Sequence, residues 1–314
     1  MNPKAWGLFT LLALCLLATS CNGVTRTVRV TVTGEDGTPV KDADVGVYFL
    51  GYDLDKDKEV AGFTNDLGVF SAKDKAILRM ETSIAKDGYY KTHSGRLSRT
   101  QDHDVTFVLR EKRNPIPLYA KREVLFFPAN KEWLGYDFEI GDWTAPHGEG
   151  KTIDLWFKCD TEKVPHERRY KEGKGSLEIK FKEDEGLLLV EDDYLPLSIM
   201  KMPHLAPQTG YQNTFRLFED TTGKSKFQHG IGYFFRTRVR KEGERIVSAQ
   251  YGKLLKDFKF SPRRFENKNN IEKSFATLYL PYYFNPTPND RNLEFDPKGN
   301  LLTDLEYEER ANEP

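Results

Sequence analysis

The chain has 314 residues and a formal net charge of −1, from 47 basic and 48 acidic residues. With 38% hydrophobic, 13% aromatic and 30% charged residues, it suits a folded, strand-rich protein and not a disordered one. Acids and bases interleave, which excludes a basic field for a nucleic-acid backbone or an anionic lipid surface; no nucleic acid is expected as a partner.

The chain opens on a secretory pattern: Lys4 as the positive flank, an apolar run from Trp6 to Leu17, and small residues after it. That run is shorter than the about 20 apolar residues needed to cross a bilayer core, so residues 1–20 are expected to export the chain, not to span a membrane. Ala18-Thr19-Ser20-Cys21 resembles the bacterial lipobox, with Ala18 standing where that family most often has Leu. The resemblance implies cleavage before Cys21, lipid on Cys21, and a tether over 21–27. Two or more lipid chains hold a soluble domain on a membrane stably. Asn22 beside the lipidated residue implies, by resemblance to enterobacterial sorting, the outer membrane of a bacterial cell envelope. Of the three cysteines, Cys15 would leave with the signal and Cys21 would be lipidated. Cys159 then has no disulfide partner, and both domains must rest on core burial. It follows an apolar strand-like run and is expected to be a packed thiol rather than a nucleophile.

From Val28 the pattern has period 2: Val28, Val30 and Val32 alternate with Arg29, Thr31 and Thr33. Turn chemistry follows at Gly34-Glu35-Asp36-Gly37, again at Asn65-Asp66-Leu67-Gly68, and at Lys86-Asp87-Gly88-Tyr89. Val105, Phe107 and Leu109 close the unit, and short strands at this spacing predict a β-sandwich over 28–112. Val32, Gly34, Gly37, Pro39, Val40, Ala43 and Val45, then Thr64 to Phe70, then Lys86 to Tyr89 resemble the carboxypeptidase regulatory-like, or prealbumin-like, domain. The resemblance implies a seven-stranded sandwich without catalysis, used as a spacer, stability or adhesion module in exported proteins. Asp53, Asp55 and Asp57 begin like a calcium loop, but Lys58 and Thr64 stand where an EF-hand needs Gly and Glu.

Arg113-Asn114-Pro115-Ile116-Pro117 reads as a stiff linker, assigned to 113–132. A second, mainly-β domain is expected over 133–314, making the whole chain all-β. Its signals are alternation at Ile153, Leu155 and Phe157, and at Leu177, Ile179 and Phe181. A hairpin is predicted from Tyr233 to Tyr251, turning at Lys241-Glu242-Gly243-Glu244, with a late strand around Phe275, Thr277 and Tyr279. The Asn285–Leu302 tail is rich in turn formers and is expected to pack as an ordered loop or return along the sheet. From Trp133 onward the chain is similar to uncharacterised bacterial lipoproteins, which implies no mechanism.

Ala145 to Thr152 fits a relaxed phosphate loop, but an alternating strand follows it where a helix is required, so a glycine-rich loop and no nucleotide is expected. The six histidines form no zinc spacing, and no G-x-S-x-G elbow occurs, so neither a metal, a cofactor nor a catalytic residue is assigned. The acids Glu183, Asp184, Glu185, Glu191, Asp192 and Asp193 read as solvated loop residues. Trp143, Trp133 and Tyr136 are the candidate ligand-contacting aromatics. Trp143, in a loop beside Gly141 and Asp142, is expected to be the exposed one, and most other aromatics belong to the core. The reading is a membrane-anchored envelope lipoprotein with a non-catalytic binding or structural role toward a glycan or an envelope protein. The alternative is an exported glycan-acting hydrolase with its site in the second domain.

Overall fold

The computed structural model describes residues 23–52, 55, 57–161, 174–190, 198–220, 232–255, 259–262 and 276–314. Residues 1–22, with Cys21 and the export signal, lie outside the described residues, as do Asp53, His166, His229 and residues 191–193. The described chain is nearly all β, and it divides into two compact units, one ending at Glu111 and one spanning Lys112–Pro314.

The first unit holds eight strands: β1 (Val24–Gly34), β2 (Asp44–Leu50), β3 (Lys58–Phe63), β4 (Val69–Ala76), β5 (Arg79–Ala85), β6 (Thr92–His93), β7 (Leu97–Ser98) and β8 (His103–Leu109). One sheet runs β4-β1-β8, and the other runs β3-β2-β5-β6 with β7 also on β5. The alternation in β1 does what it predicts: Val28, Val30 and Val32 are fully buried. They meet Val45, Val47 and Phe49 of β2, Met80 and Ile84 of β5, and Phe107 and Leu109 of β8 in one sandwich core.

The turn residues explain themselves. Thr64 is buried, takes a hydrogen bond from Ala43 N (2.9 Å) and donates to Val40 O (2.7 Å). The Asn65 side chain accepts from Leu67 N and Val69 N, each at 3.0 Å, and shapes the turn. Gly68 has φ 71°, and a Cβ there would stand 2.3 Å from Val32 O, so both conformation and space require glycine.

The second unit holds β9 (Tyr119–Phe126), β10 (Leu134–Asp137), β11 (Asp142–Trp143), β12 (Leu155–Thr161), β13 (Lys174–Lys180), β14 (Gly186–Val190), β15 (Thr214–Asp220), β16 (Gly232–Glu242), β17 (Arg245–Leu255), β18 (Lys259–Ser261) and β19 (Thr277–Asn285). A five-stranded sheet runs β11-β10-β12-β13-β15. A six-stranded sheet runs β14-β16-β17-β19-β18, with β9 on the other edge of β19. The two sheets enclose a core in which Leu155, Phe157, Leu177 and Ile179 meet Phe235, Leu278, Leu280, Tyr282 and Phe284. Segment 113–132, read from its prolines as a linker, instead supplies β9 and the buried Leu118, Ala120, Leu125 and Phe127.

The six-stranded sheet is covered on both faces. Its outer side carries Phe234, Ala249 and Tyr251, packed with Met202, Ala206 and Leu293, and Tyr283 packed with Phe295 and Ala311. The turn-rich tail thus packs as an ordered covering segment. Buried Lys253 donates to Leu293 O at 2.8 Å, and Asn285 donates to Asn292 O at 2.9 Å. Glu294, buried, accepts from Arg113 N and Asn114 N, and Asn300 both donates to and accepts from Ala120 of β9. Pro281 stands in β19 where its partner changes, between the Lys259–Tyr279 pair and the Leu254–Tyr282 pair. A proline, which donates no ladder hydrogen bond, is tolerated at such a break.

Candidate functional site

Among the described residues the six-stranded sheet is covered on both faces, and the outer face of the five-stranded sheet is the broad surface left open. β12 records it: Leu155, Phe157 and Cys159 are buried, while Trp156 and Lys158 are half-buried and Asp160 is exposed. In a strand such alternation separates a core face from an outer face. Leu134 pairs with Phe157 and Gly135 with Trp156, so Trp133, one residue earlier, lies on the outer face beside Lys158. The Lys158 ammonium sits 5.5 Å from the centre of the Trp133 ring, and Trp133 is 42% exposed.

The register places the neighbours. Trp156 is paired with Lys180, and Lys158 with Glu178, which in turn pairs with Arg216 of β15. Glu178 and Arg216 approach to 3.8 Å, and Asp160 is held by Lys131 at 3.4 Å. Trp133 and Trp156 are diagonal neighbours across β10 and β12, a spacing of about 7–8 Å between backbones. The result is two indoles on one sheet face, ringed by long charged side chains. Chemically, this surface can stack flat apolar rings and donate hydrogen bonds at their edges.

Of the aromatics singled out in sequence, Trp133 alone reaches solvent to a large degree. Trp143, expected at the surface, is only 6% exposed. Its ring packs against Phe127 (centroids 5.3 Å), Tyr136 (5.7 Å) and Phe157 (5.8 Å), and its indole N–H donates to Phe126 O at 3.3 Å. The loop glycine and aspartate beside it suggested exposure, but they belong to a tight return that turns the indole inward. Tyr136 is fully buried, its hydroxyl donating to Glu123. Trp156 takes its place on the face, and its signal was present: Trp156 falls on the polar phase of the Leu155–Cys159 alternation.

A second feature is an open groove of about 650 Å³, lined by Arg122, Glu123, Val124, Lys259, Tyr279 and the acids Glu306, Glu308 and Glu309. Two carboxylates meet there, as a hydrolase would need, but Lys121 lies between them, 3.0 Å from Glu123 and 3.3 Å from Glu309. Glu309 also accepts from Glu306 N, closing a capping box on the Tyr307–Glu309 turn. Burial pushes the Glu123 carboxyl above its ordinary range, against the pull of Lys121. Through Lys121, Glu309 fastens the C-terminal turn to β9, where Lys121 also bridges Arg310 through the backbone.

A third cluster sits at one end of the sandwich. The β16–β17 register shifts between Thr237 and Arg240, and Arg238 adopts φ 52° at this bulge. Its guanidinium reaches Asp154 (2.7 Å), Glu139 (2.5 Å) and Asp137 (3.2 Å). Burial raises the Asp154 carboxyl although Arg238 pulls it down. Nearby Glu185, expected in a solvated loop, is buried and accepts from Val239 N at 3.0 Å. The phosphate-loop look-alike is tied to the same network: Lys151 N and Thr152 N donate to Asp137, and Glu149 N donates to Asp142. Its amides thus face the chain's own carboxylates.

Cys159 is buried, and burial pushes its thiol up to about 12. His103 contacts Ser98 O at 2.8 Å while Asp102 accepts from Thr27 N. No group of three or more His, Cys, Asp or Glu suited to a metal ion forms among the described residues.

The chain matches no protein-family model and no curated protein. Among solved structures it is similar to a carbohydrate binding protein, so described with reservation, from Bacteroides uniformis (9% identity, 83% of this chain and 98% of that one, TM-score 0.20). It is also similar to a DUF3823 family protein from Parabacteroides merdae (12% identity, 83% and 98%, TM-score 0.21). A third likeness is a Streptococcal ancillary pilin (8% identity, TM-score 0.21), of which 62% is covered by 79% of this chain.

Proposed function

We propose that this chain is an envelope-anchored, non-catalytic glycan-binding lipoprotein, tethered through lipid on Cys21 and binding with the tryptophan face of its second unit. The observation that carries the binding half is Trp133, 42% exposed, aligned with Trp156 on the open face of the five-stranded sheet. Stacking of a ring on an indole needs little backbone adjustment, and two indoles on one rigid sheet offer two contacts in a fixed spacing. The anchoring half is supported by the Ala18-Thr19-Ser20-Cys21 sequence and the apolar run before it. The first unit, with its prealbumin-like turn chemistry, serves as a spacer between the anchor and the binding unit.

A glycan-array screen tests the binding half. Binding that is abolished in Trp133→Ala and retained in Tyr307→Ala, an exposed aromatic elsewhere, is the expected result; a blank array would overturn it. Cys21→Ala is expected to move the protein from the membrane fraction to the soluble fraction, and unchanged membrane retention would overturn the anchor.

A further inference from the structure

We infer that the glycan held on the tryptophan face is acidic, a polymer of uronic acid sugars whose carboxylates accept hydrogen bonds from Lys158 and Lys180. This rests on the glycan-binding reading above and sharpens its ligand class. The chain as a whole is balanced at 47 bases and 48 acids, yet the surroundings of the two indoles are not. Each indole has a lysine as its immediate cross-strand neighbour: Lys158 beside Trp133 and Lys180 directly opposite Trp156.

The two acids nearest the indoles each stand near a base. Glu178 faces Arg216 at 3.8 Å, and Asp160 faces Lys131 at 3.4 Å. Among the described residues neither Lys158 nor Lys180 comes within ion-pair distance of a carboxylate. Lys158 is half-buried against Trp133, so part of its side-chain freedom is spent before any ligand arrives, while Lys180 is exposed. The face of an indole carries a negative quadrupole, which favours a cation and disfavours a carboxylate. An acidic sugar therefore binds a tryptophan platform well only when cations stand close to the rings; here the Lys158 ammonium lies over the Trp133 ring, and Lys180 is the direct cross-strand partner of Trp156. A neutral sugar gains nothing comparable from two lysines, whose desolvation then goes uncompensated.

The test is affinity electrophoresis of the full chain in mild detergent, through gels containing polygalacturonate, its fully methyl-esterified form, alginate, or a neutral galactan. Binding to polygalacturonate or alginate is expected to exceed binding to the methyl ester by about tenfold or more, as charge-assisted hydrogen bonds allow. The difference should collapse in 1 M NaCl, where the screening length is about 3 Å. The double variant Lys158→Gln, Lys180→Gln should lose that advantage while keeping its binding to the ester, and Lys298→Gln, on the tail, should change nothing. Equal binding to the acidic and esterified polymers, or an undiminished double variant, would overturn the acidic assignment. Neutral binding alone, lost in Trp133→Ala, would overturn it and leave the glycan reading standing. Polyglutamate bound as tightly as the acidic sugars would reassign the face to an acidic protein partner. Failure to bind any polymer removes both readings together.

Discussion

The indole N–H of Trp143 donates to the main-chain carbonyl of Phe126 across 3.3 Å, and this bond joins the edge strands of two different sheets. Trp143 ends β11, the margin of the five-stranded sheet, and Phe126 ends β9, the margin of the six-stranded one. An open edge is a template for aggregation, and here a side chain closes one end of it.

Trp143→Phe keeps an aromatic ring in the site but removes the donor and part of the packed indole. The expected loss is at least about 0.5–1.5 kcal/mol in denaturant unfolding, the usual worth of one hydrogen bond, plus the cost of the lost packing. Trp143→Ala also empties a packed site and should cost about 3–5 kcal/mol. Glycan binding by Trp143→Phe should equal wild type. A loss of binding without a loss of stability would return Trp143 to the ligand surface.

Gly68 anchors the first unit's turn motif, with φ 71° and Val32 O where a Cβ would go. Gly68→Ala therefore meets two costs at once, a left-handed backbone of about 1–2 kcal/mol and a steric clash that must push β1 or the turn aside. Loss of at least about 2 kcal/mol is expected, seen as a lower unfolding midpoint of the first unit. Gly37→Ala, at φ 81° with no atom within 4 Å of the added Cβ, should cost only the backbone part. Equal losses for the two would show that the contact with Val32 O is unimportant.

The first unit was the more legible in sequence because its rules are local. Alternation in Val28–Val32 selects a face, Asn65 marks its turn by accepting from Leu67 N and Val69 N, and Gly68 and Gly88 mark theirs by positive φ. The second unit hides its plan because its six-stranded sheet is buried on both sides, so Tyr233, Phe234 and Phe235 form an apolar run with no alternation to read. Which aromatic is exposed depends on what covers each sheet, and that is settled by Leu293 and Phe295, far away in the chain. Trp133 and Trp156 become neighbours only through the β10–β12 register, and the buried fate of Trp143 and Glu185 rests on equally distant partners.

Cys159 should be inert in the folded chain. With Cys15 and Cys21 replaced by Ser it is the sole thiol, and a disulfide reagent at pH 8 should react with it only in denaturant. Its folded pKa of about 12 lies above the unfolded value of about 8.5, so the unfolded state ionises first. Stability is then fully present below about pH 8.5 and declines as pH rises from there towards 12. Cys159→Ala should abolish this part of the alkaline decline; an unchanged profile would show that the thiol contributes nothing to it.

Arg238 offers the strongest test of the buried polar network, because it stands against two carboxylates that are nearly or fully buried, Asp137 and Asp154. Arg238→Gln removes the cation and leaves both acids, and breaking such a pair typically costs about 3–5 kcal/mol. Backbone strain works the other way: Arg238 sits at φ 52°, so Arg238→Gly relieves strain while losing the charge and should be slightly less damaging than the Gln variant. The pH dependence carries a sign. Burial holds the Asp154 carboxyl above its ordinary range even with Arg238 present, so the folded state binds its proton more readily than the unfolded state. Stability from this group therefore grows as pH falls through the raised carboxylate range, and it is lost again as pH rises. Without the guanidinium the carboxyl rises further, so the Gln variant should recover part of its deficit between neutral and mildly acidic pH. Paired unfolding curves for wild type and Arg238→Gln at the two pH values measure that recovery, and a deficit independent of pH would mean that Asp154 stays ionised without its partner.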